Sequence, residues 1–440
     1  MVDSYSSFEH CAKGQFSFRG PESRYNSMSE AVWDPETVSS TFTRHPAYDR
    51  ILSCLSPASL VSMGRVSRIT RRAVQDYSSR AFSVNRLLTR FFSDPVAFRS
   101  LQARTATLIS GSFGVQLFDR SLYSESDLDL YPHSQHVREV GEWLRREGYI
   151  FMPSSFQPES FLEASAADPI MTGVNGVNLL PLDHYWTKSV ANVFTFLRPS
   201  TDAYNPDQPA KVQIIKSKES PFECILNFHS TCVMNIITYN AAISLYPFST
   251  FERREALVIG GHDRQASALR KYAERGWRMI AHSSPLIVLS SPDSVTFGDH
   301  FFVQKTRWTD DRHSWVIPLD MDQVSEPTPL SPTSMPLTWD PVMQNSWTLN
   351  ADEYKHGVIY QDIMYSTART SVLYYNYTVA DEKYLEMLIS FFRNQGKLEH
   401  SKLGPEGWTA DTPQFWTWWD SVVPLFRQNY LRKLQCEPEP

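Results

Sequence analysis

LISGSFGVQLFDRSLYSESDLDLY, residues 108–131, decides the reading of this chain. It opens on an apolar pair, Leu108-Ile109, and turns at Ser110-Gly111-Ser112. A short amphipathic piece, Phe113 to Phe118, follows, and the stretch ends on Asp127-Leu128-Asp129-Leu130-Tyr131. Acid and apolar residues alternate there with period 2, which predicts a strand with one buried face. Asp127 and Asp129 then point to the same side, about 7 Å apart by the rise per residue. Two carboxylates on one face repel each other unless a cation lies between them, and hard oxygen donors suit Mg²⁺. Gly111 permits a tight turn and close approach of a ligand. Ser112, at a helix N-terminus, offers a hydroxyl and free N–H groups to a phosphate. The plainer alternative is an amphipathic edge strand whose acids face water.

An apolar strand, Gly-Ser, a helix and Asp-x-Asp, in that order, resemble the nucleotidyltransferase superfamily. The resemblance implies that Gly111 and Ser112 bind the nucleotide. It also implies that Asp127 and Asp129 are catalytic and hold Mg²⁺, with an NTP as substrate and NMP passed to an acceptor by metal-assisted displacement. The fold it implies is α+β: a nucleotidyltransferase-like mixed sheet with flanking helices. In that superfamily a third carboxylate comes from a later strand. Here the corresponding position in KVQIIK, residues 211–216, is Gln213. A neutral amide binds Mg²⁺ more weakly than a carboxylate and cannot act as a base. Glu219, Glu223 and Asp183 are substitutes that nothing in the sequence selects between. Lys271, on a helix predicted over 265–275 and closed by Gly276, is in position to face a triphosphate, as such helices do in the family. His229, with Ser230, Thr231 and Asn235, either lines the pocket or is a satisfied core group.

A second pattern precedes the first. In Tyr48–Tyr77, Ile51, Leu52 and Leu55 line a short helix, Ser56 caps the next with Pro57 at its first position, and Leu60, Met63 and Val66 form its stripe. With Arg65-Val66-Ser67-Arg68, this spacing resembles the F-box, a helical module that binds the adaptor subunit of cullin-type ubiquitin ligases. The usual Leu-Pro opening is His45-Pro46 here. A helical hairpin packed on the domain behind it is the equal alternative. F-box-like helices, then SGS…SDLDLY, KVQII and FHST, resemble in their order proteins of mushroom-forming fungi over residues 45 to 280.

The composition is that of an ordinary globular chain, 42% apolar and 20% charged, and 440 residues allow about two or three domains. A net charge of −6 gives no bulk reason to bind nucleic acid or an anionic membrane. The five cysteines are few and scattered, which points to a reducing, intracellular setting, cytoplasmic or nuclear. No apolar run reaches the length of a membrane span, and the polar start lacks a signal-peptide core. Cys224, His229 and Cys232 lack a fourth ligand and do not read as a zinc site.

The expected organisation is a flexible arm at 1–42, the F-box-like module at 43–103, the nucleotidyltransferase-like domain at 104–280 and a C-terminal α/β extension at 281–440. Helices are expected over 81–101, 135–148, 220–226 and 380–394, with strands at 106–109, 190–197 and 211–216. Residues 152–186 read as irregular. Phe228–Phe251 reads as a strand and turn followed by a long apolar helix ending before Pro247. PLIVLSS, HFFVQKTRW and HSWVIPL read as strands of an added sheet, and the Pro-rich 320–341 as extended and mobile. A rival to the enzyme reading is a non-catalytic F-box-type adaptor that uses a degenerate nucleotidyltransferase fold for recognition.

Overall fold

The computed structural model describes residues 40–167, 189–199, 209–260, 266–280, 300–354, 358–409 and 412–436. Residues 1–39 of the expected arm (1–42) and PLIVLSS lie outside them. The described chain is α+β, built on an eight-stranded mixed sheet.

Three helices come first: α1 (His45–Ser53), α2 (Pro57–Val66) and α3 (Arg68–Ala81). The Ser56 hydroxyl accepts from Ser59 N, and Ser67 and Thr70 form a reciprocal cap, so both turns are set by local chemistry. The expected single helical region over 81–101 is two helices, α4 (Val84–Leu88) and α5 (Pro95–Thr105). Asp94 stops a continuous helix because its carboxylate accepts from Val96 N and Ala97 N, starting a new one. Ala106 takes a left-handed conformation, so the strand expected at 106–109 begins later, as β1 (Leu108–Ser110).

Next come α6 (Ser112–Asp119), β2 (Leu128–Tyr131), α7 (Val137–Arg146), β3 (Ile150–Met152) and α8 (Phe161–Ala166). The helix α8 corrects the expectation that 152–186 is irregular; Phe161 packs edge-on to Phe194 and Phe196 and buries there. β4 (Val190–Arg198) and β5 (Ala210–Ser217) pair antiparallel as expected. After α9 (Pro221–Leu226), β6 (Asn235–Ile237) and β7 (Ala241–Ser244) form a hairpin where a long helix was expected. The Thr238 hydroxyl accepts from Asn240 N and Ala241 N, and this side-chain turn competes with helical bonding in a β-branched run. β8 (Glu255–Leu257), α10 (Ala266–Glu274) and β9 (Arg278–Ile280) make a small parallel unit.

Of the later strands, β10 (Thr306–Trp308) joins an added sheet with β12 (Ser346–Tyr354) and β13 (Val358–Met364). β11 (Trp315–Pro318) does not; it pairs with β7 and extends the main sheet. The main order is β11-β7-β6-β1-β2-β5-β4-β3. β2 and β5 run parallel, and the other neighbours are antiparallel. β14 (Ser366–Ala368) and β15 (Tyr377–Val379) precede α11 (Glu382–His400), and α12 (Val423–Cys436) ends the described chain. The Pro-rich segment is extended yet tied down: Ser325 N donates to Ser100 Oγ and Ser331 Oγ to Trp416 O. Among the described residues no helix is long and apolar enough to cross a membrane.

The central strands have two faces. Ile109, Leu128, Leu130, Phe194, Phe196, Val212 and Ile214 pack into one hydrophobic cluster with the helices α1 to α5 and α7. Leu108, Tyr131, Ile215, Ile236 and Ile243 pack on the other face with Trp347 and Leu349. The helical module belongs to the first cluster through Leu52, Leu60, Ala73 and Tyr77. Arg120, left-handed at the end of α6, fastens it from beneath. Its guanidinium donates to Leu52 O (3.3 Å), Leu55 O (2.6 Å) and Tyr77 Oη (2.9 Å). Replacing Arg120 by Met takes the guanidinium from Leu55 O and Tyr77 Oη, while Leu52 O keeps its bond from Leu55 N, and is expected to cost about 1–3 kcal/mol. A lower urea midpoint in the variant checks this; an unchanged midpoint shows that the module is held by apolar contact alone.

Candidate functional site

The strand alternation that buries Leu128 and Leu130 places Asp127 and Asp129 on the opposite face. β5 lies parallel beside β2, with Leu128 level with Val212 and Asp129 level with Gln213. Lys211 and Gln213 therefore share the face of the two aspartates, and the four side chains form a square across two strands. Lys211 Nζ donates to Asp127 Oδ2 at 2.7 Å. Gln213 Nε2 donates to Thr195 Oγ1 at 3.3 Å, on the next strand outward. Farther along, this face is closed by Tyr131 and Ile215, so the square is the floor of a cleft at the open end of the sheet.

The turn at Gly111 forms one wall. Its φ of 68° is left-handed and favours glycine. A Cβ there would stand 3.1 Å from Asp129 Oδ2, so the backbone turn and the carboxylate nearly touch. No side chain caps α6, which leaves its first N–H groups for a ligand. Ser112 Oγ and Ser126 Oγ are 2.6 Å apart, and Gln116 Nε2 donates to Ser126 Oγ at 3.0 Å. Gln116 Oε1 accepts from Tyr123 N, so the loop before β2 is tied to the start of α6.

Asp129 is recessed but retains some solvent access. Among the described residues no group hydrogen-bonds its carboxylate. Burial, then the charge of Asp127, push its pKa up to about 7, against the pull of Lys211 and Lys271. Lys271 on α10 lies near enough to act on both aspartates by its charge. Burial and Arg275 lower its pKa, while Asp127, Asp129 and Glu125 raise it. His229 lies by Lys271; desolvation and that charge bring its pKa down to about 4, so it is neutral at physiological pH. Its Nδ1 is 2.8 Å from Ser230 Oγ, and its ring centroid is 5.4 Å from that of Tyr272.

The structure thus groups Gly111, Ser112, Asp127, Asp129, Gln213 and Lys271 about one cleft, with His229 joined to them through Lys271. Lys211 is the member that sequence reasoning passed over. Its signal was present: it stands two positions before Gln213 in a period-2 strand, and so on the same face. Glu125 is a further neighbour, through its charge on Lys271. Of the proposed substitutes for a third acid, Glu219 is 3.3 Å from Arg369 and Glu223 accepts from Tyr365 Oη; Asp183 lies outside the described residues. Burial raises the Cys224 and Cys232 thiols to about 12, which suits inert core groups. Among the described residues the group with metal-like spacing is His45, Asp49 and Asp76, where Arg80 already bonds both carboxylates. A cavity of about 820 Å³ lies on the other side of the sheet, lined by Leu60, Val74, Phe82 and Trp315, and includes none of the cleft residues.

Comparisons with protein-family models, with curated proteins and with solved structures find no match to this chain.

The Asp129 carboxyl gives a pH test. An unfolded Asp titrates near about 3.9, so between there and about 7 the folded state binds the extra proton. Stability then falls as pH rises through this window. Asp129→Asn removes that loss and is expected to raise the melting temperature above pH 7, with a difference that shrinks toward pH 4. Thermal unfolding across this range checks it; a difference independent of pH contradicts the burial argument.

Proposed function

We propose that the chain is a nucleotidyltransferase-like protein that binds a nucleoside triphosphate in this cleft and passes NMP from it to an acceptor. The observation that carries the reading is Asp129: a recessed carboxylate without a hydrogen-bond partner among the described residues, set against the uncapped start of a helix. A buried carboxylate in that state is short of a cation, and a helix start is short of an anion. A metal–phosphate ligand supplies both. The oxygens of Asp127 and Asp129 suit Mg²⁺, and these two residues would hold it. Bound there, the ion would polarise the transferring phosphoryl group and favour deprotonation of an attacking hydroxyl. The chain's own residues do the rest. Gly111 lets phosphate approach the backbone, Ser112 and the first N–H groups of α6 orient it, and Lys271 neutralises charge from across the cleft. Neutral His229 and Tyr272 border the ligand beyond Lys271.

A second reading has its own support. Gln213 stands level with Asp129, where a third carboxylate would complete the site. In this reading the cleft recognises a ligand without turnover, and the F-box-like module at 48–77 recruits a ubiquitin-ligase adaptor. Ile51 (38% exposed), Val66 (71%) and Ile69 (38%) give that module an outward apolar surface, whereas Leu55 is half-buried against the core.

Thermal shift with each NTP, with and without Mg²⁺, tests the first reading. A metal-dependent rise lost in Asp127→Ala is expected, and no shift with any nucleotide ends it. Capture of a ligase adaptor by the full chain, lost in Val66→Asp, is expected of the second; capture that survives this variant excludes the exposed helical surface as its cause.

A further inference from the structure

The contact between Lys211 and Asp127 bears on how the cleft is loaded. One side chain comes from the residue just before β2 and the other from β5, 84 positions apart in sequence, and they meet at 2.7 Å. Each retains about a third of its surface, 37% for Lys211 and 34% for Asp127, so the pair stands at the mouth and is open to exchange. Lys211 lies on the side of Asp127 that faces the β5 ladder, with Gln213 as its neighbour on the same face. The amide at 213 adds no negative charge to offset the ammonium at 211. On the floor, one of two aspartates is therefore already neutralised, and the other has no hydrogen-bond partner among the described residues. A bare divalent ion entering the cleft meets a positive charge at hydrogen-bond distance from one of its two carboxylate donors.

We propose that Lys211 is a displaceable counter-ion that occupies the cation position of Asp127 and keeps a bare divalent ion out of the cleft. The inference rests on the reading of the cleft as a metal and nucleotide site. An arriving polyphosphate offers the ammonium a new anionic partner and frees Asp127, so metal and phosphate enter together. Each then raises the affinity of the other by the same factor, as linkage requires. Lys211 is in this sense a positioning residue, acting through Asp127. Lys271, also a cation of this site, makes no hydrogen bond to either aspartate and influences them through charge alone.

The test uses the full chain and Mn²⁺ alone, with free Mn²⁺ followed by electron paramagnetic resonance. Lys211→Met is expected to bind Mn²⁺ about tenfold more tightly than the parent chain. Lys271→Met, which removes a charge and leaves the pair intact, is expected to gain much less. Lys211→Arg preserves the pair and is expected to remain as weak as the parent. Equal gains in Lys211→Met and Lys271→Met, or a Lys211→Arg variant that binds as tightly as Lys211→Met, overturn the assignment. If Lys211→Met unfolds, Lys211→Gln replaces it, with the same two comparisons. Adding inorganic tripolyphosphate reads the second half: in the parent the thermal shift with Mn²⁺ and tripolyphosphate exceeds the sum of the separate shifts, and in Lys211→Met it does not. No tripolyphosphate shift under any condition, with the selective Mn²⁺ gain intact, ends the nucleotide reading of the cleft and leaves Lys211 as the counter-ion.

Discussion

The parallel pairing of β2 with β5 is the constraint on which the cleft depends. It sets Asp129 level with Gln213 and brings Lys211 to Asp127. A slip of one residue in either strand turns its side chains to the opposite face, and Leu128 or Val212 would then replace a charged group on the cleft floor. The register is held by the apolar halves of the same strands. Leu128, Leu130, Val212 and Ile214 are buried in one cluster, and exposing them would cost roughly 1.5–3 kcal/mol each. The chemistry of the floor is thus fixed by residues on the reverse side of the sheet.

That sheet buries both faces without burying both completely. One side carries the helices α1 to α5 and α7, and the aromatic pairs Phe92–Phe98 and Phe92–Trp143 fill the space beneath them. The other side is covered toward Tyr131 and Ile215 by residues from α9 and β12. The uncovered end is where the charged square stands. A carboxylate placed under the covered end would lose its solvent entirely. At the mouth, Asp129 loses enough solvent to raise its pKa and keeps some contact with water. The helical module adds to this arrangement from a distance. Arg120 closes α6 at one end while Gly111 opens it at the other, so the helix that presents its N-terminus to Asp129 is clamped by the carbonyls of Leu52 and Leu55. Packing of the N-terminal helices and placement of the cleft wall are therefore one mechanical problem.

The sequence by itself determined the local chemistry. Period-2 alternation gave Asp127 and Asp129 a common face, Gly111 marked the tight turn, and Ser56, Pro57 and Gly276 marked helix limits, because each of these signals acts within a few residues. It also placed Gln213 within a strand, since a β-prone run such as KVQIIK is read locally. It misjudged Asn235–Ser244, where an apolar run fits strand or helix alike and the Thr238 side-chain turn settled the matter. It also assigned Trp315–Pro318 to a separate sheet, because which edge accepts a strand depends on partners remote in the chain. Only the tertiary structure decided that Lys211 answers Asp127, that Asp129 has no hydrogen-bonding partner among the described residues, and that Lys271 acts on both aspartates by its charge. Those facts depend on strand order and burial, and a group's charge state is set by neighbours that adjacent sequence does not contain.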